Sequence, residues 1–116
     1  MTEPLFTVAQ AKMLDRIAIE EFGIPGISLM KRAGICVFET LLQAWPEVIG
    51  SSLASLEIGQ QSITVFCGAG NNAGDGYIVA GLAAQKRISV SVVCLSDPNN
   101  LSGDAKKAFC FARDAG

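Results

Sequence analysis

S-I-T-V-F-C-G-A-G-N-N-A-G-D-G-Y-I-V-A-G-L-A-A-Q-K, residues 62–86, decides how the rest of the chain is read. Ile63 to Cys67 is a short apolar run, too short for a helix and β-branched enough for a buried strand. Gly68 to Gly76 mixes glycines with Asn71, Asn72 and Asp75 and reads as a loop. Tyr77 to Lys86 is apolar and alanine-rich, long enough for a helix of about three turns. Strand, glycine loop and helix N-terminus together make a cradle for anions. Glycines bring the backbone close to a ligand, and the first helical N–H groups have no internal partner.

The loop is not a standard nucleotide motif. A Walker A loop ends in Gly-Lys-Ser/Thr, and no lysine stands between Lys31 and Lys86. Gly68, Gly70 and Ala73 satisfy G-x-G-x-x-A formally. The ribose-binding acid of that fingerprint belongs about 20 residues on, at the end of the next strand. Asp97 is late for that role. The distinctive feature is the polar insert Asn71, Asn72, Asp75, whose side-chain oxygens suit a hard cation or a polar ligand head. A turn with Asp75 as helix cap accounts for the same residues, and the pattern leaves both readings open.

Moving outward, Ser89 to Cys94 is a second strand. Strand, helix, strand is a βαβ unit with a right-handed crossover, so the strands are expected as parallel neighbours. Ligands bind beyond the carboxyl ends of such strands, which puts Gly68–Gly76 and Ser96–Asn100 on one edge. Ser102 is placed to cap a last helix, with Asp104 favourable near its start and Ala105, Ala108, Phe109 and Ala112 as its apolar face.

Towards the N-terminus, Thr7-Val8-Ala9-Gln10 is a capping box opening a helix. Ala11, Leu14, Ile17 or Ala18, and Phe22 follow helical spacing as its inward side, with Asp15 and Arg16 towards water. Gly23 ends this helix and Pro25 prevents its resumption. Ser28 is read as the cap of a second helix running to about Ala44, with Leu29, Ala33, Cys36, Val37, Thr40, Leu41 and Ala44 as its inward stripe. Ala33-Gly34 offers a small surface for close approach, and Met30 reads as core. Pro46 to Gln61 is a connector, in which Leu53, Leu56 and Ile58 are candidates for a short helical turn.

The 116 residues suit one domain or part of one. Half are hydrophobic and 17% charged, which argues against a disordered chain. A mean hydropathy of +0.39 fits a buried parallel sheet or a fragment with faces meant for further elements. A net charge of −2 without a basic run argues against nucleic acid as partner. No apolar stretch reaches the roughly 20 residues that span a bilayer, and the N-terminus lacks the pattern of a signal peptide. Cys36, Cys67, Cys94 and Cys110 are scattered in apolar runs and read as core thiols of a reducing, cytoplasmic compartment. The absence of histidine removes Ser-His-Asp and Cys-His catalysis.

Gly68 to Gly76 closely resembles the G-x-G-N-N-G-G-D-G loop of the NAD(P)H-hydrate epimerase family, also called the YjeF N-terminal domain. Ser28-Leu29-Met30-Lys31-Arg32-Ala33-Gly34 resembles that family's L-M-x-x-A-G helix, and Gly103-Asp104-Ala105 its G-D-A helix start. The order and spacing of all three agree, with Ala73 in place of the usual loop glycine. The resemblance implies a Rossmann-like three-layer αβα fold with a parallel sheet, of which residues 1–116 form the N-terminal part. It implies an isomerase that interconverts the R and S forms of hydrated NADH and NADPH in nicotinamide nucleotide repair. Asn71, Asn72, Ala73, Gly74 and Asp75 would bind substrate, Asn72 would bind a potassium ion, and the complete domain would be a homodimer. The family's catalytic aspartate lies on a later strand, so no catalytic base is assigned and the chain alone is expected to be inactive. The alternative is a binding or dimerisation module of the same fold, as in mRNA-decapping factors. The nearly complete polar loop favours descent from an enzyme.

Overall fold

The computed structural model describes residues 3–48 and 62–116. The chain runs α1 (Val8–Glu20), α2 (Gly26–Ala44), a 3₁₀ turn at Pro46–Val48, β1 (Ile63–Cys67), α3 (Asn71–Gln85), β2 (Val90–Cys94), a second 3₁₀ turn at Pro98–Asn100, and α4 (Gly103–Ala115). It is an α/β architecture with a two-stranded parallel sheet among the described residues. The helical turn expected around Leu53, Leu56 and Ile58 falls outside the described residues.

The βαβ unit forms as its sequence pattern requires. Strands β1 and β2 pair in register from Ile63 opposite Val90 to Cys67 opposite Cys94. Alternation sets their two sides. Ile63, Val65 and Cys67 turn under α3, whereas Thr64, Phe66, Ser91 and Val93 are exposed on the other side. Helix α3 is the central element. Its Tyr77 and Ile78 pack with Cys67, Leu101, Ala105 and Ala108, and its Val79 and Ala83 pack with Phe38, Val48, Ile63 and Ile88.

The beginning of α3 differs from the sequence expectation. The loop is only Gly68–Gly70; the helix starts at Asn71, with Gly70 as N-cap. None of the glycines from Gly68 to Gly76 has a positive φ. Gly74 is there for close approach. A Cβ on it would run into Met30 and stand 3.2 Å from the Cα of Ala105. Packing of α2 and α4 against this turn, not loop conformation, explains the glycine. Ala73 is helical and 3% exposed, so alanine is unstrained where a glycine was expected.

Helix α2 also begins earlier, at Gly26, with Pro25 at the N-cap and Ser28 already inside, its N–H bonded to the Pro25 carbonyl at 2.9 Å. Proline suits a helix start because its missing N–H would have had no partner there. The buried side of α2 is rotated from the expected stripe. Gly34 and Phe38 are buried and Leu41 and Leu42 half-buried, while Ala33, Cys36, Val37, Thr40 and Ala44 are exposed. Gly34 sets this face, because it lets Ile78 press against the helix backbone.

The capping box of α1 is present: Thr7 Oγ1 accepts from the Gln10 N–H at 3.1 Å, and Gln10 Oε1 accepts from the Thr7 N–H at 2.9 Å. Gly23, at φ +66°, closes the turn that follows. The expected inward side is largely uncovered. Ala11, Leu14 and Phe22 are exposed, and only Ile17 and Ala18 are half-buried.

Candidate functional site

The C-terminal end of β1, the Gly68–Gly70 turn and the start of α3 lead into an open cleft of about 620 Å³. Asn71, Asn72 and Asp75, at i, i+1 and i+4 on α3, form one wall. Gly26, Leu29, Met30 and Ala33 of α2 form the second. Lys12, Asp15, Arg16, Ile19 and Glu20 of α1 form the rim, and Asp104 closes the side at the start of α4. Thus Asn71, Asn72 and Asp75 come together on one wall of the cleft. Ala73 and Gly74 are buried behind them, facing the helix packing, and only their main chain lies near the α3 N-terminus.

Asp75 lies in the second turn of α3, which removes the helix-cap reading, one of the two left open for it. Burial raises its carboxyl above the ordinary value, and the neighbouring Asp15 carboxylate adds to the effect. Four carboxylates, Asp15, Glu20, Asp75 and Asp104, share the cleft with two cations, Lys12 and Arg16. Arg16 is already engaged, its Nε donating to Glu20 at 3.3 Å. Asp104 lies 3.9 Å from Lys107 and packs its carboxylate against Gly26, the first residue of α2. A carboxylate favours a helix N-terminus, and α2 has no side-chain cap of its own.

Oxygen donors therefore dominate the cleft, and neither thiol nor imidazole lines it. Among the described residues no three His, Cys, Asp or Glu side chains gather as a metal centre. The donor chemistry is that of amide and carboxylate oxygens, which suits a hard cation.

The sequence reading missed the α1 rim and Asp104. The signal for the rim was present: Lys12, Asp15, Arg16 and Ile19 recur at helical spacing on one side of α1. The arrival of Asp104 opposite Gly26 is a tertiary event with no local signature. Asp97, by contrast, stays away from the cleft and caps its own turn, accepting from the Asn99 N–H at 2.9 Å.

The chain is 38% identical over 104 residues to a bifunctional NAD(P)H-hydrate repair enzyme Nnr of Coxiella burnetii, covering 90% of this chain and 19% of that protein. It is 33% identical over 106 residues to an NAD(P)H-hydrate epimerase of Rhodobacter capsulatus, covering 91% of this chain and 47% of the relative. A third similarity, 32% over 104 residues, is to an NAD(P)H-hydrate epimerase of Lentilactobacillus buchneri, with 90% and 43% covered. The chain thus spans less than half the length of these relatives. Residues 26–116, which carry every wall of the cleft except the α1 rim, match the family described as YjeF-related protein N-terminus, and to that family the chain belongs.

Proposed function

We propose that this chain carries the substrate-cradling part of an NAD(P)H-hydrate epimerase, an isomerase acting on hydrated NADH and NADPH in nicotinamide nucleotide repair. The observation that carries the reading is the placement of Asn71, Asn72 and Asp75 on one wall of a cleft at the N-terminus of α3, in a chain of this family. The unpaired N–H groups of that helix end favour the substrate pyrophosphate. Asn71, Asn72 and Asp75 bind substrate through their side chains, and Ala73 and Gly74 through their main chain.

An anionic dinucleotide entering a cleft with more carboxylates than cations needs an added positive charge. A potassium ion supplies it by offsetting the pyrophosphate, and the Asn72 carboxamide oxygen is its ligand from this chain. Proton transfer at the hydrated ring carbon needs a positioned acid or base. That group belongs to the later part of a complete three-layer αβα domain. Residues 1–116 alone are the N-terminal part of that domain and inactive, and the complete form is a cytoplasmic homodimer. No described helix is long and apolar enough to cross a membrane.

The test is equilibrium titration with hydrated NADPH in potassium chloride and in choline chloride. Binding is expected to be tighter with potassium. Asn72→Ala is expected to weaken it about tenfold, or about 1.4 kcal/mol, and to remove the potassium effect. Equal affinity for the parent and Asn72→Ala in both salts would rule the reading out.

A further inference from the structure

We propose that Cys67 and Cys94 are a modification site, closing to a cross-strand disulfide when the chain meets a hydroperoxide. The two residues are register partners at the carboxyl ends of β1 and β2. Parallel neighbours stand about 4.8 Å apart, inside the Cα separation of about 4.4–6.8 Å that a disulfide spans. Both sulfurs turn to the same side, towards consecutive residues of α3. The Cys67 Sγ lies 2.9 Å from where a Cβ on Gly76 would stand, and the Cys94 Sγ shares a hydrogen bond of 3.3 Å with the Tyr77 hydroxyl. The Leu95 N–H donates to the Cys67 carbonyl at 2.8 Å and holds the strand ends in this register.

Their environments divide the chemistry. Cys94 is exposed and Cys67 fully buried. The Cys94 thiolate attacks the peroxide oxygen; the O–O bond breaks, leaving a sulfenic acid on Cys94 and, from hydrogen peroxide, hydroxide that becomes water on protonation. The Cys67 sulfur then attacks the Cys94 sulfur. The S–S bond forms, the S–O bond breaks, and the departing hydroxide takes up the Cys67 proton as water. Two thiols lose two electrons and one hydroperoxide gains them. Burial pushes the Cys67 thiol up to about 11, with the neighbouring Cys94 contributing, which makes it the slower, resolving partner. Closure removes the Cys94 thiol from Tyr77 and ties the strands together immediately before the Gly68–Gly70 turn, beneath the candidate site.

Cys36 on α2 and Cys110 on α4 serve as internal controls. The experiment treats the full chain with stoichiometric hydrogen peroxide, followed by thiol counting, intact mass and non-reducing peptide mapping. The expected result is loss of two thiols per chain, a mass lower by two hydrogens, and a Cys67–Cys94 linked peptide that dithiothreitol reverses. Cys94→Ser is expected to abolish that linkage, and Cys67→Ser to leave a sulfenic acid on Cys94 that dimedone traps. Cys94 carried to sulfinic acid in the parent, linkage to Cys36, Cys110 or a second chain, or four intact thiols would each overturn the proposal. The parent and Cys94→Ser maps decide the matter if Cys67→Ser fails to fold.

Discussion

Asp75 shows how one side chain ties the site to stability. Its carboxyl is raised in the folded chain, chiefly by burial and then by Asp15. A carboxyl raised on folding binds its proton more tightly in the native state. Its ionisation therefore costs stability as pH rises from the unfolded value through the folded one, and the penalty is absent below both. Asp75→Asn removes that penalty and keeps a polar group facing the cleft. Chemical denaturation is expected to find the variant more stable than the parent at neutral pH, with the gap closing on acidification below the ordinary carboxylate range. A gap that widens in acid would contradict the burial account. At this scale Asn71, Asn72 and Asp75 stood out as a polar insert among glycines, a pattern that a turn explains as readily as a ligand site. That Asp75 is no cap could not be read, since its role depends on where the helix starts.

Helix ends and helix faces carry two further expectations. Helix α3 closes with Arg87 at φ 59°. The Arg87 N–H donates to the Ala84 carbonyl at 3.0 Å and the Ile88 N–H to the Ala83 carbonyl at 2.9 Å, with Ile88 buried against the helix. This is the Schellman arrangement, in which glycine is the unstrained occupant of the left-handed position. Arg87→Gly is expected to raise stability by about 1 kcal/mol in thermal or chemical unfolding; a loss would contradict the assigned backbone. On α2, a Cβ at Gly34 would stand 2.7 Å from the Cβ of Ile78. Ile78 is β-branched and 1% exposed, so it cannot turn aside. Gly34→Ala is expected to cost about 1–3 kcal/mol despite alanine's better helix propensity, measured as a lower denaturation midpoint. The strands, their parallel pairing and the capping box were legible because apolar runs and caps are local signals. The face of α2 and the start of α3 were not, because Gly34 and Gly74 serve partners distant in sequence. A glycine that admits Ile78 or Met30 reads locally like a glycine that makes a turn.

At the scale of the whole molecule, α3 holds the sheet, α2 and α4 together, and the cleft opens where their N-termini meet. On the opposite side of the sheet Phe66 is 66% exposed and Val93 39% exposed, and among the described residues neither strand has a second neighbour. Unpaired parallel edges and an uncovered apolar side fit a chain spanning less than half the length of its relatives. The central claim is that the start of α3 is the ligand cradle. Amide hydrogen exchange, with and without hydrated NADPH in potassium chloride, tests it most directly. The account predicts slowed exchange at Ala69 to Asp75 and along the cleft wall of α2, lost in Asn72→Ala. Slowed exchange confined to β2 and α4, or unchanged exchange at Ala69 to Asp75 under saturating ligand, would contradict it.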